Sequence, residues 1–135
     1  MPMPAMGLAT TAVSLGRMVE DPGDEPETLR LIIQASDDFG RLTEDASRWA
    51  FLAEPPLTGD VRLDAMLAGL AVHLCRLAGM NRTPAWTRKP DRYLDRFWWF
   101  GLEDTSTLRA YVYQRTPSCM RARGVLFNAE ELESV

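Results

Sequence analysis

The chain offers few side chains that could carry out a reaction or hold a metal ion. Its single histidine, His73, lies two residues from Cys75 in a segment that we predict to be helical, so the two side chains diverge and cannot form a nucleophile–base pair. The second cysteine, Cys119, has no metal-binding spacing to the first, and the adjacent Asp37 and Asp38 do not converge on a cation. We therefore expect no catalytic site, no metal site and no cofactor, and two reduced, inert thiols.

A basic and aromatic segment, residues 82–99, is the main candidate for binding. It interleaves rings with cations, and proteins that bind single-stranded nucleic acid use this pattern to stack bases and neutralise phosphates. Against nucleic acid, the isoelectric point is about 5.0 and no RNA-binding signature occurs. Burial or contact with a protein partner is favoured, and nucleic acid is the alternative. The predicted partner-binding residues are Trp86, Arg88, Arg92, Arg96, Trp99, Arg121 and Arg123.

Charge is distributed unevenly along the chain, whose formal net charge is −4. Residues 1–80 carry six arginines against twelve carboxylates, whereas residues 81–124 carry nine Lys or Arg against four carboxylates. Such asymmetry can steer association with an acidic partner, and it can equally reflect two halves of one domain that neutralise each other. The sequence leaves both interpretations open.

Residues 61–78 show the clearest secondary-structure pattern. Five leucines recur at alternating steps of four and three, which places them on one stripe of a helix. Asp60 can cap its start, and Gly79 stands where a left-handed C-cap residue belongs. His73 borders the stripe, as a hydrogen-bonded residue at the edge of a core often does. We predict that this helix is the centre of the fold and that its stripe comprises Leu63, Leu67, Leu70, Leu74 and Leu77.

Shorter helices are predicted on the N-terminal side of this element. Asp24 can cap a helix over residues 25–42, Pro26 is tolerated in its first turn, and Glu25 and Glu27 suit the positive end of the helix dipole. Thr43 can cap a second helix at 43–53, which consecutive prolines and a glycine end.

The run "DRFWWF" (95–100) is predicted to close a helix that Pro90 opens. On such a helix Phe97 and Trp98 share the inward face, whereas Trp99 points elsewhere. We therefore expect Phe97 and Trp98 in the core, with Trp99 as the ring left for a partner.

The C-terminal segments are partly ambiguous. Residues 107–115 fit a strand by their alternating tyrosines and a helix by their apolar spacing, so both remain open. Thr116 can cap a short basic helix that ends at Gly124. Asn128, followed three residues later by Glu131, has the form of a capping box for a last helical turn.

Composition indicates one mainly α-helical domain. Hydrophobic residues make up 46% of the 135-residue chain and charged residues 25%, which is typical of a globular protein. Residues 1–26 are expected to be an N-terminal arm with an acidic linker, and 27–135 a helical partner-binding domain. No run of apolar residues is long enough to span a membrane, and no signal peptide is recognised, so we expect a cytoplasmic location.

Two stretches, "TPAWTRKPDRYLDRFWWF" and "LRAYVYQRTPSCMRARGVLFNAEEL", resemble the C-terminal segment of actinobacterial antitoxin-like regulators. The resemblance covers about residues 27–135. Members of that family often carry a helix-turn-helix domain and are encoded beside small nucleotidyltransferases of toxin–antitoxin pairs. The resemblance implies an antitoxin-like protein without the DNA-binding domain, because the first 26 residues cannot hold one. In "MRARG", Ala122 stands where a third base is common in the family.

Together these observations predict a compact, mainly α-helical bundle around helix 61–78. They predict a non-enzymatic intracellular protein that docks a protein partner through an aromatic and basic surface, and the resemblance implies a nucleotidyltransferase toxin as that partner. A nucleic-acid-binding regulator that uses the same surface is the alternative function.

Overall fold

A computed structural model describes residues 7–18, 25–102 and 107–132. Within these residues the fold is mainly helical, as predicted, with one small parallel sheet. The helices are α1 Leu8–Met18, α2 Glu25–Gly40, α3 Asp45–Phe51, α4 Val61–Leu77, α5 Arg109–Arg115 and α6 Ser118–Arg121, the strands are β1 Trp98–Trp99 and β2 Val125–Leu126, and 3₁₀ turns span Ala85–Arg88, Pro90–Arg92 and Ala129–Leu132.

Helix α4 is the centre of the fold, which confirms the prediction from the leucine spacing. Every residue from Leu63 to Val72 is buried, so the helix is covered on all sides rather than along one stripe. The stripe is shorter than predicted, because Leu77 at the C-terminal end is 72% exposed. The remaining four leucines belong to the hydrophobic core.

Both predicted caps of α4 are present. The Asp60 carboxylate accepts a hydrogen bond from the Arg62 N–H at 2.8 Å. Hydrogen bonds from the Arg62 side chain and from this N–H lower the pKa of Asp60 below its ordinary value. At the other end Gly79 adopts a φ of +70°, and Met80 N–H donates to the Cys75 carbonyl at 2.9 Å. This is a Schellman closure, which satisfies carbonyls that the helix end would otherwise leave open.

Close contact between α4 and α6 depends on a glycine. A Cβ atom built on Gly69 would lie 2.8 Å from Met120 Cγ and 3.2 Å from Met120 Cα. The Cys119 thiol donates to the Gly69 carbonyl at 3.4 Å on the same side. The bare backbone of Gly69 therefore lets α6 pack directly on the central helix.

Residues 8–18 differ from the expected N-terminal arm. They form α1, whose Leu8, Ala12 and Leu15 recur at helical spacing and are buried in the main core. The apolar residues of this stretch are therefore explained by their burial between α1 and its neighbours α2 and α4. Most of the expected acidic linker, with the predicted cap Asp24, lies outside the described residues.

Helix α3 is present, but its predicted cap is wrong. The helix begins at Asp45, and the capping position belongs to Glu44, which makes no side-chain capping hydrogen bond. Phe51 at its end packs on Phe39 of α2, with the ring centroids 5.4 Å apart. This tertiary contact, rather than capping by Thr43, accounts for the placement of α3.

The helix predicted from Pro90 through Trp99 is wrong. After the turn Pro90–Arg92 the chain becomes extended at Tyr93, with φ −126° and ψ 140°. It then runs beside residues 123–126, where Trp98 N–H donates to the Gly124 carbonyl at 2.8 Å and β1 pairs with β2 in parallel. Gly124 has a φ of +84°, and a Cβ atom built on it would lie 3.0 Å from Leu94 Cβ, so this turn requires a glycine.

The structure decides the ambiguous C-terminal segment in favour of a helix, α5. Thr116 does not cap α6, since Pro117 occupies the capping position. The Thr116 hydroxyl instead donates to the Val112 carbonyl at 2.7 Å and accepts from Phe127 N–H at 3.0 Å. It therefore ties the end of α5 to the segment that follows β2.

The last predicted helical turn is a 3₁₀ turn, Ala129–Leu132. Asn128 does act at its start, because its Oδ1 accepts from Glu130 N–H at 3.0 Å. None of the helices in the described ranges combines the length and apolarity that crossing a bilayer requires.

Candidate functional site

The run of rings is divided by the two-residue period of β1, not by a helical period. Trp98 and Phe100 lie on one face with ring centroids 5.4 Å apart, and Phe100 contacts Phe127 at 5.3 Å. Both pack against the hydrophobic core. Phe97 and Trp99 lie on the opposite face, 6.3 Å apart. This alternation is what an extended chain imposes on successive side chains.

The expected positions of these rings are therefore corrected in part. Phe97, which we expected in the core, is 58% exposed. Trp98 is half-buried against the core, in line with its expected inward direction. Trp99 is half-buried and points away from that core face, toward α5.

Two arginines stack on the outward rings. The Arg109 guanidinium lies 4.9 Å from the Trp99 ring centroid, and the Arg121 guanidinium lies 4.9 Å from that of Tyr113. Phe97 joins the two groups, since its ring is 6.3 Å from Trp99 and 6.4 Å from Tyr113. We call this surface the ring–arginine face; it comprises Phe97, Trp99, Arg109, Tyr113 and Arg121.

A neighbouring cluster on α5 is already neutralised within the chain. Arg115 stacks on Tyr111, and its Nε donates to Glu130 Oε1 at 2.7 Å. The Tyr111 hydroxyl donates to the same carboxylate at 3.1 Å. These hydrogen bonds, that from Arg115 first, lower the pKa of Glu130. Arg115, Tyr111 and Glu130 therefore form a separate cluster, and we do not assign Arg115 to the ring–arginine face.

Arg92, a predicted partner-binding residue, is fully buried at 0% exposure. Its two terminal nitrogens donate to the carbonyls of Asp64 at 3.3 Å and Pro55 at 3.0 Å. Its guanidinium lies 4.8 Å from the Trp86 ring centroid. Arg92 therefore joins α4 to the loop before it and is not available to a partner.

Arg123 is buried in the same manner. Its Nε and Nη2 donate to the Thr87 carbonyl at 3.1 and 2.7 Å, and its Nη1 donates to the Cys119 carbonyl at 2.8 Å. Tyr93 covers it at 4.8 Å, and burial lowers the pKa of Arg123 from its ordinary range. The prediction that Arg123 meets a partner is wrong, because its donors are used by the backbone.

Trp86 is likewise part of the core rather than of a binding surface. It is buried, and its indole N–H donates to the Leu52 carbonyl at 2.8 Å. Arg88 and Arg96 are exposed, as predicted for surface cations. Arg88, however, donates to the Thr83 hydroxyl at 2.8 Å and lines a shallow depression with Trp49 and Arg82.

Of the seven predicted residues, the structure places only Trp99 and Arg121 in the ring–arginine face. The sequence analysis missed Arg109 and Tyr113 as members of a site. They lie four residues apart on α5, so the helical interpretation of 107–115 puts them on one side. That spacing was the signal that could have found them.

Neither cysteine is activated as a nucleophile. Burial raises the pKa of both Cys75 and Cys119, which disfavours their reactive thiolate forms. In residues 7–18, 25–102 and 107–132, no group of three His, Cys, Asp or Glu side chains is placed to hold a metal ion.

No protein-family model, no curated protein and no solved structure matches this chain. The resemblance to actinobacterial antitoxin-like regulators stays a prediction.

Proposed function

We propose that this is a non-enzymatic binding protein that docks an acidic protein partner through the ring–arginine face. The observation that carries the proposal is the stacking of Arg109 and Arg121 on rings beside the exposed Phe97. Aromatic residues and arginine dominate the energetics of protein interfaces. The Arg121 guanidinium, which stacks on Tyr113, keeps its planar fork of donors suited to a carboxylate.

Charge supports an acidic partner. Residues 81–124 carry nine Lys or Arg against four carboxylates. Arg92 and Arg123 are buried, and exposed Arg96 adds a cation beside Phe97 in the chain. The partner would place carboxylates near Arg121 and apolar groups on Phe97, and such complementarity sets register and association rate.

An antitoxin-like role is the specific form of this proposal. The resemblance suggests a nucleotidyltransferase toxin as the partner, bound in the cytoplasm. Nucleic acid is the less favoured partner, because a guanidinium covers one face of both Trp99 and Tyr113 and because Arg92, a cation of the basic and aromatic segment, is buried.

The test first reads the genes beside that of this chain for a nucleotidyltransferase, then co-expresses the two proteins and measures their binding by calorimetry after purification. We expect a stable complex that Phe97→Ala and Arg121→Gln each weaken by about tenfold or more. Trp49→Ala is the matched control, since Trp49 is an exposed ring outside the ring–arginine face. The control should bind like the parent protein.

Three results would count against the proposal. One is a complex that tolerates Phe97→Ala and Arg121→Gln, which would move the interface elsewhere. Another is the lack of any complex with the neighbouring nucleotidyltransferase. The third is salt-dependent binding to single-stranded DNA or RNA that the same two variants abolish, which would favour the nucleic-acid function.

A further inference from the structure

An open depression of about 490 Å³ lies between α3 and the segment 82–88, which ends with the 3₁₀ turn Ala85–Arg88. Its volume falls in the range that small-molecule ligands occupy in proteins. It shares no residue with the ring–arginine face, so it is a separate feature of the molecule. We call it the Trp49 depression; it is lined by Trp49, Arg82, Thr83, Pro84, Ala85 and Arg88.

Buried contacts hold the two sides of the Trp49 depression together. Trp86 is buried, and its indole N–H donates to the carbonyl of Leu52, the residue that follows α3, at 2.8 Å. Within the segment 82–88, the Thr87 N–H and hydroxyl both donate to the Pro84 carbonyl, at 3.2 and 2.6 Å. The depression is therefore formed before a ligand arrives, which keeps the ordering cost of binding low.

Trp49 offers an uncovered ring. Each of the other three tryptophans carries a stacked guanidinium: Arg62 on Trp98, Arg92 on Trp86 and Arg109 on Trp99. Trp49 is 37% exposed, and no ring or guanidinium of the described residues stacks on it. The planar ring of a ligand can therefore stack on this indole.

Two exposed arginines supply positive charge in the same lining. Arg82 makes no hydrogen bond or ion pair to any described residue. Arg88 donates from Nη1 to the Thr83 hydroxyl at 2.8 Å, and its other guanidinium N–H groups have no acceptor in the described part of the chain. Among the described residues the lining contains no carboxylate. The depression therefore favours an anion over a neutral or cationic compound.

The adjoining surface does not cancel this charge. A neighbouring depression shares Trp49 and Arg82 with the first and adds Asp45 and Arg48. Arg48 Nη1 lies 3.9 Å from Asp45 Oδ1, and the Asp45 side chain is 86% exposed. One anion and one cation are thus added together, so the surplus of two arginines remains.

Arg88 also lies near a buried cation. Burial chiefly lowers the pKa of Arg123, and the charges of Arg76 and Arg88 lower it further. The donors of Arg123 are used by backbone carbonyl groups, which are neutral. Lys89, the residue after Arg88, is matched by Glu54 at 2.9 Å. The net charge around Arg88 is therefore positive, and a bound anion would relieve the repulsion between these arginines.

We propose that the Trp49 depression binds a small phosphate monoester that carries a planar ring, with the ring on Trp49 and the phosphate on Arg82 and Arg88. A phosphate monoester carries about two negative charges near neutral pH, and its terminal oxygen atoms can accept from two guanidinium groups at once. A carboxylate is already satisfied by one guanidinium fork. This site does not depend on the proposed docking function.

The test compares two ring-bearing monoesters, AMP and phenyl phosphate, with their phosphate-free parents, adenosine and phenol. Ribose 5-phosphate is the monoester without an aromatic ring, and 5′-amino-5′-deoxyadenosine replaces the anion by a cation. Calorimetry with the whole chain at low salt measures binding. We expect at least one ring-bearing monoester to bind with a Kd below about 1 mM. The tighter of the two should exceed its parent, ribose 5-phosphate and the amine by about tenfold or more.

Variants connect binding to the named residues. Trp49→Ala should weaken binding of the tighter monoester by about tenfold, and Arg82→Gln and Arg88→Gln should each weaken it by about fivefold or more. Arg41→Gln, which removes an exposed arginine outside the lining, should leave it unchanged. Phe97→Ala should also leave it unchanged, because Phe97 belongs to the ring–arginine face. Trp49→Ala and Phe97→Ala thereby distinguish failure of this site from failure of the docking function.

The proposal is overturned if neither monoester binds below about 1 mM, or if ribose 5-phosphate or the amine binds as tightly as the tighter monoester. Tetraadenylate that binds more than about tenfold more tightly than AMP also overturns it, because the ligand would then be a nucleic-acid strand. So does unchanged binding by folded Trp49→Ala or folded Arg82→Gln, with the fold checked by circular dichroism. If one of these variants fails to fold, the other and the compound series still decide the question.

Discussion

Replacement of Arg92 by methionine should destabilise the fold, although a surface arginine could be replaced without penalty. The side chain is fully buried, donates to two carbonyls and stacks on Trp86. Methionine keeps much of the volume but removes every donor. The Pro55 carbonyl, bonded at 3.0 Å, would lose a charged partner, and the Asp64 carbonyl would lose a longer bond of 3.3 Å.

The magnitude follows from these contacts. A hydrogen bond from a charged group contributes about 1.5–3 kcal/mol, and a desolvated cation–π contact about 2 kcal/mol. Methionine regains part of the ring contact through its sulfur, and removal of a buried charge eliminates its desolvation cost. We expect a net loss of about 2–4 kcal/mol in the free energy of unfolding, with binding at the ring–arginine face unchanged once the protein is folded.

Urea denaturation followed by tryptophan fluorescence measures this loss. With a denaturant dependence of about 2 kcal/mol per molar urea, the midpoint should fall by about 1–2 M. Arg96→Met is the matched control, because Arg96 is exposed four residues later, and its midpoint should stay within about 0.3 M of the parent. Equal midpoints for the two variants would refute the structural role of Arg92.

Three further outcomes are expected from the same structure. Trp98→Ala should lower the free energy of unfolding by about 2–3 kcal/mol and Trp99→Ala by less than about 1.5 kcal/mol, as measured by urea denaturation; equal losses would contradict the alternation of β1. Gly69→Ala should destabilise by about 1–3 kcal/mol despite the better helix propensity of alanine, and Met120→Ala should partly rescue it in thermal unfolding; additive losses would show that the two residues do not clash. The pKa of Asp60 is lowered in the folded state. The ionised carboxylate therefore stabilises the fold above the ordinary carboxyl pKa, and this stabilisation is lost as pH falls through the pKa of the folded state. The stability difference between the parent and Asp60→Asn should therefore narrow in acid below about pH 4, and a difference that is constant from pH 7 to pH 2 would exclude this charge effect.

The central helix could be predicted because its information is local. Leucine spacing, Asp60 and Gly79 all lie within one segment, and the structure confirms the helix, its cap and its C-terminal closure. Burial on every side could not be predicted, since it depends on how α6 approaches Gly69 from fifty residues away. The exposure of Leu77 could not be predicted for the same reason, because it depends on where the neighbouring elements end and not on the sequence around Leu77.

The candidate site was predicted only in part, because its geometry depends on strand pairing. Residues 97–100 are four consecutive aromatic residues, and such a run has neither the period of a helix nor that of a strand. Pairing with residues 124–126 makes the segment extended, and this change moves Phe97 from the expected core to the surface. Arg109 and Tyr113 then join it because α5 lies against the outer face of β1.

The sequence by itself determined a mainly helical protein, the position of its central helix and the presence of an aromatic and basic C-terminal half. Only the tertiary structure decided which of those cations are surface groups. Arg92 and Arg121 look alike in the sequence, yet one is sealed against backbone carbonyls and the other stacks on Tyr113 at the surface. The physical reason is that a charge can be buried only where distant segments supply hydrogen-bond acceptors, and the sequence around an arginine does not show whether they do.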